Sequence, residues 1–256
     1  MTAVGLLHPG AMGAALGAEL RRAGHDVSWT SAGRSAATKE RAGAAGLHDA
    51  GSLEALVARS EVVLSVCPPH AAEEVAQAVT AAGFTGTYVD GNAVAPATAR
   101  RIGEQVAPVR FVDGGIVGPP PHRAGTTRFH LSGDGADDVA ALFGGTAVEA
   151  RVHPGGPGAA SAVKVCFAAW TKGTAALLLA IRALADAEGV TDGLLAEWAT
   201  SLPDLASRSD AAAGTAPKAW RFVGEMDESA RAFADAGLPG GFSQAAAEVY
   251  ASLARG

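Results

Sequence analysis

The segment from Val4 to Gly13 constrains the fold more than any other part of the chain, because an apolar run leads through a glycine turn into a helix. The next residues, Ala14 to Ala23, contain no proline and end at Gly24, the residue type favoured after a helix C-terminus. A strand, a tight turn and a helix N-terminus bring free backbone N–H groups together, and a pyrophosphate binds at such a place. The segment therefore predicts a dinucleotide site made of His8, Pro9, Gly10, Ala11, Met12 and Gly13.

The glycine fingerprint of this segment is incomplete at its first position. The dinucleotide motif is G-x-G-x-x-G, and His8 stands in place of the first glycine, while Gly10 and Gly13 occupy the second and third positions. Two glycines at this spacing also occur in strand–turn–helix units that bind no ligand. The surrounding sequence pattern is therefore needed to judge whether this turn binds a dinucleotide. If a dinucleotide binds, we expect the His8 imidazole to contact it.

Strand and helix patterns alternate along the first part of the chain. Further strands are predicted at His25–Thr30, Glu61–Cys67, Thr87–Asp90, Arg110–Asp113, Thr127–Ser132 and Thr146–Val152, and helices at Thr38–Ala45, Leu53–Ala58, Ala71–Ala82 and Ala136–Phe143. Such alternation indicates a parallel sheet with right-handed crossovers. From Pro157 onwards an alanine- and leucine-rich pattern predicts helices alone. The expected fold is α/β, with a doubly wound, Rossmann-type parallel sheet over residues 1–154 and an all-helical domain over residues 155–256.

Composition excludes several classes of function. The net charge of −6 and the absence of a lysine/arginine run argue against a nucleic-acid partner or an anionic membrane surface, and favour a small-molecule substrate. The most apolar internal stretch, Thr174 to Ile181, is too short to span a bilayer, and no secretory signal is visible, so a cytoplasmic protein is expected. Cys67 and Cys166 are the only cysteines, and the seven histidines show no paired spacing, so we expect neither a disulfide nor a metal site.

The end of the second strand bears on the choice of cofactor. NAD-specific folds carry an acidic residue there that binds the ribose hydroxyls. This chain has none at that point, and instead offers the hydroxyls of Ser31 and Ser35 and the guanidinium of Arg34. Because arginine binds phosphate and a carboxylate repels it, this pattern favours NADP over NAD. The alternative is that Arg34 is a solvated loop residue.

Two more loops follow predicted strands directly. Cys67 and Pro68 come after the strand at Glu61–Cys67, and Asn92 comes after Asp90. The carboxyl ends of strands line the ligand crevice of a doubly wound sheet, so we expect these residues to face the nicotinamide half of the cofactor.

Lys164 is the candidate for the chemistry. The chain has four lysines, and this one lies between Val163 and Val165, near Cys166 and Phe167, after the glycine-rich segment 155–158. An ammonium among apolar neighbours is poorly hydrated, and this favours proton transfer, which suits a general acid/base. The alternative is a lysine that extends its ammonium to water along an apolar helix. Lys172, two turns on, is expected at the surface.

Three motifs resemble those of the β-hydroxyacid dehydrogenase superfamily, which includes 6-phosphogluconate dehydrogenases, 3-hydroxyisobutyrate dehydrogenases and imine reductases. They are Gly10–Gly13 with Gly24–Val27, similar to the cofactor turn and second strand; Asp113–Gly118, similar to the substrate loop; and Gly155–Gly158 followed by Lys164, similar to the catalytic helix. The C-terminal half is most similar to a phosphogluconate dehydrogenase-like branch. The resemblance implies that Lys164 is catalytic, that the active site lies between the domains, and that helical domains pair into a homodimer.

Three positions depart from the family pattern. Val117 stands where the family has a serine, Ala168 where it has an asparagine, and Glu225 where it has a lysine. These departures remove polar groups that hold a carboxylate substrate, so they argue against a simple small hydroxyacid. The predicted substrate-binding residues are Val117, Gly118, His122 and Lys164, with Arg123 and Asn92 as further candidates.

The sequence thus favours an NADP-dependent oxidoreductase that transfers a hydride between nicotinamide and a hydroxyl or carbonyl carbon, with Lys164 moving the proton. Imine reduction on the same fold is one alternative, suggested by the missing polar groups. A non-catalytic NADP-binding protein is another, suggested by the same departures.

Overall fold

The computed structural model describes residues 1–254, which form two compact units, one from Met1 to Lys164 and one from Val165 onwards. The sequence placed the boundary earlier, between residues 154 and 155. The difference arises because the long helix Ala159–Ala187 begins within the contacts of the first unit.

The first unit is an α/β structure built on an eight-stranded sheet in the described part of the chain. The strands are β1 (Ala3–Leu7), β2 (Asp26–Trp29), β3 (His48–Asp49), β4 (Val62–Ser65), β5 (Thr87–Asp90), β6 (Arg110–Val117), β7 (Thr127–Ser132) and β8 (Val148–Val152). The helices are α1 (Ala11–Arg22), α2 (Ala36–Ala44), α3 (Leu53–Ala58), α4 (Ala72–Ala81), α5 (Pro96–Val106) and α6 (Ala136–Ala141). The spatial order is β3-β2-β1-β4-β5-β6-β7-β8. The predicted fold class is confirmed.

The sheet is parallel from β3 to β6, whereas β7 pairs antiparallel with β6, and β8 runs parallel to β7. The sequence pattern did not reveal that the last two strands run opposite to the others. A hairpin causes the reversal: Gly118, with φ 116°, turns the chain after β6, and β7 returns with Arg128 opposite Val117.

Alternation along β1 explains how both faces of the sheet are covered. Leu6 belongs to a buried cluster with Leu16 and Leu20 of α1, and the adjacent Leu7 belongs to a second cluster with Ile102 of α5. Successive side chains of a strand point to opposite faces, so one strand anchors helices on both sides.

Helix α5 was not predicted, because Pro96 closes a stretch that reads as a loop. Proline is tolerated in the first turn of a helix, where its missing N–H has no intrahelical partner. Ala99, Ile102 and Val106 then form the buried face of α5. The two-residue strand β3 was also missed, since two residues carry no periodic signal.

The second unit is helical, as expected. It contains most of α7 (Ala159–Ala187), together with α8 (Thr191–Ser201), α9 (Leu205–Ala213), α10 (Trp220–Asp235) and α11 (Gly241–Leu253). On one side of α7, Ala176 packs in a cluster with Met226 and Tyr250; on another, Leu178 packs with Trp198.

Helix α7 is longer than the apolar stretch noted in the sequence, and by length and composition it could cross a membrane, with a mean hydropathy of 1.3 over its most apolar window. Its contacts on two sides with helices of its own unit are those of a core helix in a folded domain.

Candidate functional site

At one edge of the sheet the carboxyl ends of β1, β4 and β5 lie level with one another and with Asp113, the fourth residue of β6. Leu7 pairs with Ser65, Ser65 with Asp90, and Asp90 with Asp113. The segments that follow these residues therefore begin side by side, at the edge where open α/β sheets bind ligands. They include four of the residues predicted from the sequence: His8, Cys67, Asn92 and Val117.

Helix α1 begins at this edge with an open N-terminus. Its N-cap residue is Gly10, which has no side-chain cap, and the first N–H groups of a helix have no intrahelical partner. The N–H of Gly10 donates to the carbonyl oxygen of His8 at 2.7 Å, and a Cβ atom on Gly13 would stand 2.7 Å from that oxygen. Gly13 thus allows the close packing that the third glycine of the fingerprint provides. The N–H groups of Ala11 and Met12 remain at the helix start.

His8 adopts a conformation that suits the glycine it replaces. It is the one non-glycine residue with a positive φ, 64°, in the part of the chain that the structure describes. Histidine is among the side chains enriched in this left-handed region. Burial, and secondarily the positive charge of Arg34, lower the pKa of His8 to about 4. The imidazole is therefore neutral near pH 7.

Two buried nitrogen atoms at this turn lack hydrogen-bond partners. They are Nδ1 of His8 and Nε of Arg34. Arg41 of α2 approaches the same turn, where its Nε donates to the carbonyl oxygen of Pro9 at 3.4 Å. Buried polar atoms are nearly always hydrogen-bonded in native proteins, so unpartnered ones call for an explanation. An anion bound at the N-terminus of α1 supplies one.

The loop after β2 is held by a carboxylate that the sequence pattern missed. Asp49 Oδ1, at the end of β3, accepts from the N–H of Ser31 at 3.1 Å and from that of Gly51 at 2.9 Å. Hydrogen bonds from the Ser31 side chain and from backbone N–H groups lower the pKa of Asp49. Ser35 caps α2, since its Oγ accepts from the N–H of Thr38 at 3.3 Å. The Ser35 oxygen is thus engaged in the helix cap, and Arg34 is left as the cationic group of this loop.

Asn92 connects the loops after β4 and β5. Its Oδ1 accepts from the N–H of Cys67 at 2.5 Å, and its Nδ2 donates to Ser65 Oγ at 3.2 Å. Asn92 is 2% exposed, so its contacts shape the loops from within. Burial raises the pKa of Cys67 to about 12, so its thiol stays protonated. Pro68 is exposed at the start of the following turn.

The predicted substrate loop is the second half of strand β6. Val117 ends the strand and is 3% exposed. A Cβ atom on Gly118 would come within 2.1 Å of the Thr126 carbonyl oxygen, so glycine is required where the hairpin closes. His122 and Arg123 are exposed in the hairpin loop. Their predicted substrate contacts stay predictions.

Asp113 fastens the start of α7 to the sheet. Its Oδ2 accepts from the N–H groups of Gly158 at 2.9 Å and Ser161 at 3.0 Å, and from Ser132 Oγ at 3.0 Å. Its Oδ1 accepts from Ser161 Oγ at 2.5 Å, and Ser132 Oγ accepts from the N–H of Ala160 at 3.0 Å. Side chains of β6 and β7 therefore satisfy N–H groups that a helix start would otherwise leave open.

This anchor places Lys164 beside the projecting end of β6. A Cβ atom on Gly115 would stand 2.8 Å from Lys164 Cβ and 2.9 Å from the Ala160 carbonyl oxygen. Because Asp113 is level with the last residue of β5, Gly115 lies beyond that line, on the carboxyl side. Lys164 is half-buried there, at the same edge as the His8 turn.

The two helix starts at this edge thus differ in what they can bind. The first turn of α7 is closed by Asp113 and Ser132, whereas that of α1 is open and lies beside the unpartnered nitrogens of His8 and Arg34. A dinucleotide phosphate fits the α1 start, because backbone N–H groups and a cation converge there.

Residues 1–254 contain no group of three or more histidine, cysteine or acidic side chains that could hold a metal ion.

Two family models match the chain. The model for the NAD binding domain of 6-phosphogluconate dehydrogenase matches residues 3–141, and a domain of unknown function, DUF1932, matches residues 185–253. The first match covers more than half of the chain and includes the whole edge from His8 to Val117.

Among known proteins, a 28.5 kDa protein from the 7S RNA 5′ region of Methanothermus fervidus is 32% identical over 165 residues, which are 64% of this chain and 63% of that relative. A conserved protein of unknown function, described as structurally similar to 3-hydroxyacid dehydrogenases, is 26% identical, with a TM-score of 0.74 over 98% of this chain and 96% of its own.

Two solved structures of lower identity share the fold. A 3-hydroxyisobutyrate dehydrogenase of Mycobacterium tuberculosis, solved with L-serine, is 22% identical, with a TM-score of 0.76 over 100% of this chain and 94% of its own. A reductive aminase from Aspergillus terreus, solved with NADPH and ethyl levulinate, is 20% identical, with a TM-score of 0.63 over 100% of this chain and 94% of its own.

Proposed function

The chain belongs to the family of the NAD binding domain of 6-phosphogluconate dehydrogenase, within the β-hydroxyacid dehydrogenase superfamily, and from that premise we propose that it is an NADP-dependent oxidoreductase. It transfers a hydride between the nicotinamide and a hydroxyl-bearing or carbonyl carbon of a small molecule. The observation that carries the proposal is the placement of Lys164 next to Gly115, at the sheet edge that also carries the open start of α1.

The residues around the turn divide the binding of NADP between them. The N–H groups at the start of α1 receive the pyrophosphate, and Arg34 receives the 2′-phosphate, because its Nε is buried without a partner. Asp49 is the nearest substitute for the acid of NAD-specific folds, but its Oδ1 already accepts from the N–H groups of Ser31 and Gly51. This supports NADP as the cofactor.

Titration of the protein with NADP and NAD tests the cofactor. We expect tighter binding of NADP, and we expect Arg34→Ala to weaken NADP about tenfold or more, which corresponds to loss of a charge-assisted hydrogen bond. NAD affinity should fall less in that variant, because NAD lacks the 2′-phosphate. Tighter binding of NAD by the unchanged protein would contradict the proposal.

When bound, the nicotinamide supplies the hydride chemistry. Lys164 takes the proton from the substrate hydroxyl during oxidation and returns it to the carbonyl oxygen during reduction. Asp113 holds the first turn of α7, and therefore the backbone that carries Lys164, by hydrogen bonds to Gly158 and Ser161. A fixed lysine loses less entropy on reaching the productive geometry.

Substitution of Lys164 tests the role of this residue. We expect Lys164→Ala to lower kcat by about 10² to 10⁴, the range for loss of a general acid/base, while the Kd for NADP changes little. Lys172→Ala is the matched control, because Lys172 lies over the rings of Phe167 and Phe222 in the helical unit. Full activity of Lys164→Ala would contradict the role of Lys164 as general acid/base.

Imine reduction is the second candidate reaction. Val117, which replaces the serine of the family pattern, is 3% exposed at the end of β6 and offers no polar group there. An apolar site without carboxylate anchors suits a neutral ketone or imine better than a hydroxyacid. A panel of hydroxyacids, ketones and cyclic imines, assayed by NADPH consumption or formation, distinguishes the two. Binding of NADP without turnover of any compound would point to a non-catalytic binding protein.

We also propose that the protein is a homodimer through the exposed face of α7. Trp170, Leu177 and Leu184 follow each other at seven-residue spacing and are 60–65% exposed, so they form one apolar stripe. Gly173 and Ala180 leave space between them. A surface that offers both projections and gaps complements a second copy of itself, as a two-fold interface requires. A cavity of about 790 Å³ beside the stripe, between α7 and α11, continues the apolar surface.

Sedimentation velocity tests the dimer. We expect a dimer of the unchanged protein at micromolar concentration and a monomer for Leu177→Glu, because a carboxylate in the stripe cannot be buried unpaired. Leu202→Glu, at another exposed leucine outside the stripe, is the control and should remain dimeric. A monomeric unchanged protein would contradict the proposal. We expect this dimer to be soluble and cytoplasmic.

A further inference from the structure

His8 adds an ionisable group to a turn whose backbone keeps the geometry of a glycine. Its φ of 64° is that of a left-handed residue, and its carbonyl oxygen accepts from the N–H of Gly10 at 2.7 Å. The same oxygen is the atom that a side chain on Gly13 would strike. The backbone contacts of the turn therefore do not involve the imidazole, and the side chain is available to contact a ligand.

The imidazole is half-buried beside a cation. Its Nδ1 and the Nε of Arg34 are both shielded from solvent and both lack hydrogen-bond partners. The positive charge of Arg34 acts on His8 and also reaches Cys67, at the end of β4. Arg34 therefore lies within electrostatic reach of both the β1 and the β4 loops, where a bound phosphate would meet it.

Arg34 is the charged group that acts on His8, and the buried carboxylate of Asp90, at the end of β5, acts on Cys67 in the next loop. Arg34 comes from the loop after β2, Arg41 from α2, and Cys67, whose thiol burial keeps protonated, from the loop after β4. The carboxylate of Asp49 is directed to the N–H groups of Ser31 and Gly51. In the free protein a second positive charge at His8 is therefore opposed by burial and by Arg34. A phosphate beside them would reverse the sign of the local field.

We propose that His8 takes up one proton from solvent when a dinucleotide phosphate binds at this turn, so that His8 and Arg34 together hold the phosphate as a pair of cations. The inference rests on the proposed binding of NADP. No covalent bond changes: the proton comes from the buffer, adds to the imidazole and leaves when the cofactor dissociates. His8 thereby makes cofactor affinity depend on pH.

The sign of the dependence follows from linkage. The pKa of His8 is about 4 in the free protein, below its ordinary value, so the free protein carries no proton there at pH 6 to 7. The bound form carries one up to its own, higher pKa. Affinity therefore rises as pH falls, by at most about tenfold per pH unit for one proton.

Calorimetric titration with NADP and with NAD, at pH 6.0 and 7.5, in two buffers of different ionisation enthalpy, counts the protons taken up. Uptake with both dinucleotides places the proton next to the pyrophosphate; uptake with NADP alone places it next to the 2′-phosphate. His8→Asn is the control, because asparagine tolerates the left-handed backbone and does not titrate. His8→Gly restores the glycine of the fingerprint and serves if the asparagine variant fails to fold.

We expect the unchanged protein to take up protons when the dinucleotide binds. With NAD, the variants should show no proton uptake that depends on pH. The Kd should be several-fold tighter at pH 6.0 than at pH 7.5 in the unchanged protein alone. Equal proton uptake by the unchanged protein and by both variants would overturn the role of His8, even if NADP binds. If neither dinucleotide binds to the protein or its variants, both the proposed function and the role of His8 are wrong. If a dinucleotide binds but proton uptake does not depend on His8, only the role of His8 is wrong. The imidazole resonances of His8, followed by NMR with and without NAD, give the two pKa values directly.

Discussion

Removal of the Asp113 carboxylate tests how the sheet positions α7. Asp113 is 0% exposed and accepts four hydrogen bonds, two from backbone N–H groups and two from the hydroxyls of Ser132 and Ser161. In Asp113→Ala the two hydroxyls can turn to other acceptors, but the N–H groups of Gly158 and Ser161 are fixed by the backbone and lose their partner.

The magnitude follows from those two N–H groups. Each buried donor without a partner costs about 1–3 kcal/mol, and the small cavity left by the carboxylate adds to this. We expect Asp113→Ala to lower the free energy of unfolding by about 3–5 kcal/mol, the range for breaking a buried polar network. Asp113→Asn keeps one acceptor oxygen and nearly the same volume, so its cost should be about 1–2 kcal/mol, the difference between charged and neutral hydrogen bonds.

Urea denaturation measures the stability, and steady-state kinetics the position of Lys164. We expect kcat to fall in Asp113→Ala while the Kd for NADP changes little, since α1 and the turn at His8 are untouched; Asp113→Asn should recover most of kcat. Ser132→Ala, which removes the acceptor for the Ala160 N–H and one donor to Asp113, should lie between the two in stability. If the free energy of unfolding of Asp113→Ala is within about 1 kcal/mol of that of the unchanged protein, the hydrogen bonds to Asp113 are not what holds α7.

Three further outcomes are expected. Gly115→Ala should lower kcat and destabilise the protein by about 1–3 kcal/mol, because its Cβ would stand 2.8 Å from that of Lys164; activity assays and urea denaturation check this. Gly13→Ala should weaken NADP binding in a fluorescence titration, because its methyl group would lie 2.7 Å from the His8 carbonyl oxygen; unchanged affinity would contradict the turn geometry. Burial and then His153 lower the pKa of His130 to about 4, so the folded protein binds fewer protons there than the unfolded chain, and stability should fall as pH drops from about 6.5 to 4. His130→Gln should flatten that part of the urea midpoint profile.

Sequence periodicity predicted the elements of the sheet wherever burial follows one pattern for several residues. The boundaries of α3, β5 and β7 agree with prediction to the residue. Periodicity did not predict α5, because Pro96 is typical of a loop. It also did not predict the second half of β6, because its two glycines are not typical of a strand. Those glycines follow from packing with distant parts of the chain: Gly114 lies against Phe129, and Gly115 against Lys164. Local propensity contains no information about such contacts.

Some residues of the candidate site could likewise be predicted from the sequence, and others could not. The turn at His8, the cation at Arg34 and the lysine at Lys164 are visible in the sequence as motif positions, and the structure puts all three at the carboxyl edge of the sheet. Asp49 was not recognised as part of the site, and Asp113 was noted only as the start of the substrate-loop motif, not as the anchor of α7. Each acts on a segment far along the chain: Asp49 on Ser31, and Asp113 on Ser161. Residues that position others are found through contacts of this length, which one sequence does not reveal.

The starts of α7 and α1 at this edge show why a carboxylate stabilises one helix start and would impair phosphate binding at the other. Both expose N–H groups and the positive end of a helix dipole, and both would attract the nearest anion. At α7 that anion is Asp113, buried and bonded to the helix, so the start is closed and the lysine one turn later is fixed. At α1 the same role is left to a ligand, because Gly10 provides no cap and His8 and Arg34 add only nitrogen atoms. A permanent acid near Gly10 would close α1 as Asp113 closes α7, and it would compete with the phosphate for the same N–H groups. Under the proposed function, the chain separates the two tasks by where its acidic side chains lie: one helix is closed to hold the proton-transfer group, and the other is open to hold the cofactor.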